Sequence, residues 1–125
     1  MENNIITTHY IIEDREILIN KILSYAAIVK RDGMLAIEEI QEREKNSFLS
    51  YVMLMLVNND NSEYIEKLSL TYIKYYQLDV EKSETIKRQM SMILETALYV
   101  RNEHSLVSIS DLCHCFYPAS TLQHI

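Results

Sequence analysis

Apolar residues recur at helical spacing along almost the whole chain. Leu18, Ile22, Tyr25 and Val29 step three or four apart, and Ile19, Leu23 and Ala26 widen the stripe. This pattern predicts a helix from about Ile12 to Asp32. Asp14 or Thr8 is placed to cap its start, and Thr7-Thr8-His9 reads as loose. Beyond Gly33 a second helix carries Ile37 and Ile40 and ends in the charged run Glu42-Arg43-Glu44-Lys45. Asn46 or Ser47 would cap a short third helix, Phe48 to Val57, which is apolar on nearly every side and so belongs in the interior. Asn58-Asn59-Asp60-Asn61-Ser62 is the clearest loop.

A fourth helix starts near Ser62, where Glu63 and Glu66 suit the positive end of the helix dipole, and carries Ile65, Leu68, Tyr72 and Tyr75 or Tyr76. A fifth carries Ile86, Met90, Ile93, Ala97 and Val100. Asp79 and Ser83 interrupt the stripe between them, so Gln77 to Ser83 reads as a turn or as a polar, kinked stretch of one long helix. A short last helix around Ser108 to Phe116 ends before Pro118.

Composition sharpens this picture. One glycine and one proline leave almost no material for tight hairpins, and Glu, Lys, Leu, Ile and Met suit helices. At 125 residues and 48% hydrophobic, the chain has the size of one domain with one core. The fold class expected is all-α, a bundle of five or six helices without a sheet. Residues 1–11 form a flexible leader, 12–118 the single domain, and 119–125 a frayed tail. A formal charge of −6 disfavours nucleic acid and anionic membrane surfaces as partners. The longest apolar run, Tyr51 to Val57, is far shorter than the roughly 20 residues of a membrane span. The chain therefore reads as soluble, with no membrane insertion and the cytoplasm as its default address.

The lone glycine lies in Val29-Lys30-Arg31-Asp32-Gly33-Met34-Leu35-Ala36-Ile37-Glu38-Glu39. Glycine inside a helix costs about 1 kcal/mol against alanine, so either close approach of a second helix or a bend is expected there. If the helix runs straight, Ala26, Val29, Gly33, Ile37 and Ile40 form one stripe. Arg31 and Glu38 then share the opposite face, with Met34 and Leu35 between them.

This segment resembles the cytoplasmic signature of the MotA family of flagellar stator subunits. The shared features are a basic pair, an acidic or polar residue, Gly, two large apolar residues, a small one, an apolar one and Glu. A second stretch resembles the same family's cytoplasmic tail: Glu95, Ala97-Leu98-Tyr99-Val100, a polar break from Arg101 to Ser105, then Ile109, Leu112 and Phe116-Tyr117-Pro118. The chain departs from the family in having none of its membrane helices; the polar stretch after Tyr76 sits where the family's membrane hairpin would lie. The resemblance implies a cytoplasmic interaction module of the flagellar motor, contacting the rotor protein FliG or other MotA-like subunits, or regulating motility. Lys30 stands at the family's functional arginine and Glu38 at its functional glutamate, while Arg31 offsets the planar fork that lysine lacks. The partner-binding residues expected are Lys30, Arg31, Met34, Leu35 and Glu38. The alternative is a structural or self-associating helical module unrelated to motility, with a homo-oligomer as its assembly.

Other chemistry is weak. Cys113-His114-Cys115, with His104 and His124, lacks the paired spacings of a structural zinc site, so no metal or cofactor is expected and the cysteines read as buried and reduced. The acidic run Glu38-Glu39-Gln41-Glu42-Glu44 reads as a solvated helix face, with Glu39 and Arg43 four apart. Neither a phosphate loop nor a nucleophile motif is present, and an enzyme is not expected. Tyr64, Tyr72, Tyr75 and Tyr76 crowd one helix; Tyr75 and Tyr76 cannot both face one core. A small-ligand sensor would require an internal pocket.

Overall fold

The computed structural model describes residues 10–76 and 80–118. Among them are six α-helices and no strand: α1 (Arg15–Asp32), α2 (Glu38–Arg43), α3 (Ser47–Val57), α4 (Ser62–Tyr75), α5 (Val80–Arg101) and α6 (Leu106–Cys115). A 3-10 turn, Met34–Ile37, links α1 to α2. The all-α bundle is as expected. Thr7-Thr8-His9, residues 77–79, the 119–125 tail and His124 lie outside the described residues.

Local chemistry sets the helix starts. Asp14 caps α1 by accepting from the Ile17 amide at 3.1 Å, and Asn46 caps α3 by accepting from Leu49 at 3.0 Å. Asn61, rather than Ser62, caps α4, accepting from Tyr64 at 2.8 Å. Ser105 accepts from Ser108 at 3.1 Å and starts α6. The ends of α3 and α5 share one device. Asn59 (φ 61°) and Glu103 (φ 63°) adopt the left-handed conformation just past the helix. There the amides of Asp60 and His104 donate back to Met55 and Tyr99 at 3.0 and 2.9 Å. Asparagine tolerates that conformation, whereas glutamate is strained in it.

α5 is the central element, packing against α1, α3, α4 and α6. It contributes Ile86, Met90, Met92, Ile93, Leu94 and Ala97 to the core. α3 is buried on most sides through Phe48, Leu49, Val52, Met53, Met55 and Leu56, as its unbroken apolar run implied. α4 buries Ile65, Ser69 and Ile73 and leaves Leu68 and Tyr72 half-buried at the core edge, less enclosed than their spacing suggested. Tyr72 stacks on Phe48 and lies tilted against Tyr76, with ring centroids 5.3 Å apart in each pair. Tyr76 therefore belongs to the packed side, and Tyr75 points outward. α4 closes at Tyr75 and α5 opens at Val80, so residues 80–83 of the polar stretch are the first turn of α5, and 77–79 lie outside the described residues.

Tyr10 corrects the boundary drawn for the flexible leader. It is buried against the core although it falls before residue 12. No helix among the described residues is long and apolar enough to cross a membrane.

Candidate functional site

Gly33 organises the segment singled out by sequence. It follows the last residue of α1 with φ 95° and ψ 171°, a region open essentially to glycine alone. A Cβ placed there would meet nothing within 4 Å, so backbone conformation and not close helix approach explains the residue. The bend ends the straight-helix geometry: Arg31 sits in the last turn of α1, and Glu38 opens α2 beyond the 3-10 turn. Their common face is therefore not set by seven-residue spacing on one helix.

The five expected contact residues separate clearly. Leu35 is 70% exposed, one of several apolar side chains that stand in solvent, Ile11 and Val107 among them. Lys30, Arg31 and Glu38 are exposed, and Met34 is half-buried against the core. The Lys30 ammonium donates to the His104 carbonyl at 3.1 Å, tying the end of α1 to the α5–α6 turn. Arg31 Nε meets Asp32 Oδ2 at 2.9 Å in an exposed pair of little energetic weight. Beside Leu35 in sequence, a solvent-open hollow of about 370 Å³ lies among Val29, Lys30, Gly33, Met34, Val100 and Glu103. Its lining is mixed: the apolar Val29, Met34 and Val100 stand beside a cation, Lys30, and an anion, Glu103. Glu103 was not singled out by sequence; its left-handed backbone, invisible in composition, brings it there.

A second, unanticipated cluster lies where Tyr10–Glu13 crosses α1, the α2–α3 turn and α5. The Lys21 ammonium bridges Glu13 Oε1 at 2.9 Å and Glu44 Oε2 at 2.8 Å. The Tyr25 hydroxyl donates to Glu44 Oε1 at 2.6 Å, and the Asn46 amide donates to Oε2 at 2.9 Å. Asn46 Nδ2 donates to Glu13 Oε2 at 2.6 Å and to the Tyr10 hydroxyl at 3.1 Å. Tyr10 in turn donates to Gln89 Oε1 at 2.8 Å, and Gln89 Nε2 donates to the Glu13 carbonyl at 2.8 Å. The Tyr10 amide donates to the Tyr76 hydroxyl.

Burial alone would raise the Glu44 pKa, but bonds from Lys21, Tyr25 and Asn46 outweigh it and hold the carboxyl below its ordinary value. Burial alone would likewise lower the Lys21 pKa, and bonds to Glu44 and Glu13 carry it above the usual lysine value. Tyr25 is pushed up by burial and then by its bond to Glu44. These charges engage one another, as in a structural clasp. Glu44 and Gln41 are thus corrections to the solvated acidic face. Glu44 keeps only 3% of its side chain exposed, and Gln41 is buried, bonding Ser50 Oγ at 3.0 Å.

Among the described residues no group of three or more His, Cys, Asp or Glu side chains is placed to hold a metal. Cys113 is buried, and burial pushes its thiol up to about 11. Cys115 is exposed, contrary to the expectation that both are core residues, because adjacent-but-one positions face different sides of α6. His104 stacks on Tyr99 with ring centroids 4.2 Å apart. A cavity of about 30 Å³ lies among Ile22, Val29, Leu49, Leu56, Ile93 and Ala97. That is roughly tenfold below the smallest ordinary ligand pocket, so this cavity is no small-molecule site.

No family model, curated protein or solved structure matches this chain.

Proposed function

We propose that the chain is a non-enzymatic protein–protein interaction module whose contact face is the bend from Lys30 to Glu38. The observation that carries this reading is the exposure of Leu35, at 70%, together with that of the cations Lys30 and Arg31 before it and the anion Glu38 after it in the chain. An apolar centre with charges around it has the make-up of a binding surface: the centre supplies affinity, and the charges set orientation and partner choice. The polar clasp supports the same assignment by elimination, since its charges are committed to each other.

The partner is proposed from the resemblance to MotA: the rotor protein FliG, bound as a regulator or decoy in the cytoplasm without torque generation. Binding of purified FliG to the intact chain tests this at low salt. Lys30→Glu with Arg31→Glu is expected to weaken association by roughly tenfold or more, mainly through the on-rate. Reversal of the opposing acids on the rotor protein is expected to restore it. Equal binding by parent and double variant removes the face from the contact.

A further inference from the structure

The Lys30–Glu38 bend is chemically self-complementary. Reading along it, cations come first (Lys30, Arg31), an exposed leucine stands in the middle, and exposed anions close it (Glu38, Glu39, Glu42). A two-fold axis near Leu35 places the basic end of one copy against the acidic end of the other. It does so twice, as a two-fold interface requires. The same patch carries a projecting Leu35 and, near it in the chain, the hollow lined by Val29, Met34 and Val100, with Lys30 and Glu103 also in its lining. A hollow of about 370 Å³ has ample room for a leucine side chain.

We infer that the occupant of this face is a second copy of the chain, held by reciprocal insertion of Leu35 into the partner's hollow and by reciprocal pairing of Lys30 and Arg31 with Glu38 and Glu39. Asp32 already engages Arg31 at 2.9 Å, so part of the pairing is an exchange of partners. A formal charge of −6 on each copy opposes close approach. The dimer is accordingly weak and reversible, dissociating in the micromolar range or above. The inference rests on the Lys30–Glu38 bend being the contact face. A dimer would cover that face and so compete with a rotor protein for it.

The test is sedimentation of the full chain up to about 1 mM. A concentration-dependent, closed dimer is expected, and Leu35→Asp should weaken it by at least roughly tenfold. Lys30→Glu with Arg31→Glu should be monomeric, because acids then face acids at both contacts. Glu38→Lys with Glu39→Lys should be monomeric for the converse reason. An equimolar mixture of the two variants should recover a one-to-one heterodimer. All these positions are exposed, and unchanged circular dichroism of each variant verifies the fold. A wild-type chain that stays monomeric, a dimer indifferent to Leu35→Asp, open-ended assembly, or failure of the mixture to pair overturns the inference. Rotor binding is measured separately on the same variants. A monomer that binds FliG through Lys30 and Arg31 removes the dimer and keeps the proposed function. A dimer that ignores FliG keeps the face and removes that partner.

Discussion

Two groups of charged residues, one centred before α2 and one after it, behave in opposite ways. Around Glu44, charge is taken out of water: Lys21, Tyr25 and Asn46 bond to it, and Glu13 bonds to the same Lys21 and Asn46. Around Leu35, charge stays in water, and the contacts it makes are an exposed pair and one carbonyl. A buried ion pair must be nearly complete, since an unpaired charge there is very costly. An exposed charge carries no such demand and is left available to a partner. The clasp therefore belongs to stability, and the bend is where the proposed contact is placed.

The largest effect expected from breaking this contrast is at Lys21. Lys21→Met leaves Glu44 buried without its cation, and chemical denaturation should show a loss of about 3 kcal/mol. That is the low end of the range for opening a buried pair, because Lys21 keeps 23% of its side chain exposed. A loss indistinguishable from an ordinary surface substitution would make the clasp a surface pair after all.

The same variant carries a pH signature. Lys21 has a raised pKa, so its contribution is complete below the ordinary lysine value and fades as pH climbs through the raised one. Glu44 has a lowered pKa, so its contribution is complete above the ordinary carboxylate value and fades as pH falls through the lowered one. The stability gap between parent and Lys21→Met should be flat across neutral pH and narrow at both extremes. A gap that changes between pH 6 and 8 would implicate a different group.

At Gly33 the backbone, not the space, is limiting. Gly33→Ala should cost about 1–3 kcal/mol despite open surroundings and the better helix propensity of alanine. A thermal melt shifted upward would show that the bend is not held at φ 95°. Glu103→Gly moves the other way, relieving a left-handed glutamate for a gain of about 1 kcal/mol. A loss there would mean that the Glu103 side chain contributes more than its backbone costs. Smallest of all, Lys30→Glu with Arg31→Glu should alter folding stability by under about 0.5 kcal/mol, as surface changes do. A larger loss would turn the bend into a second structural clasp and sharpen the contrast in the opposite sense.

Helices, caps and most of the core were legible from residue order, because three-to-four spacing and side-chain caps act within one or two turns. The buried α3 needed no knowledge of the rest of the chain, and each cap was narrowed to two candidates, of which Asp14 and Asn46 are the ones that bond. The lone glycine announced a special position, but both a bend and a close approach were consistent with its residue type. Only the backbone angle, with open space at the missing Cβ, separated them. Burial of Tyr10, Glu44, Gln41 and Gln89 was not legible, since polar residues go inside only when partners far along the chain complete their hydrogen bonds. The bond from Tyr10 to Gln89 spans 79 positions, and no local pattern encodes it. Residue order is enough to place the helices and the apolar face of each, because those are local energies. Which charges are paired away from water and which stay in it depends on what the fold brings beside them, and no local pattern carries that.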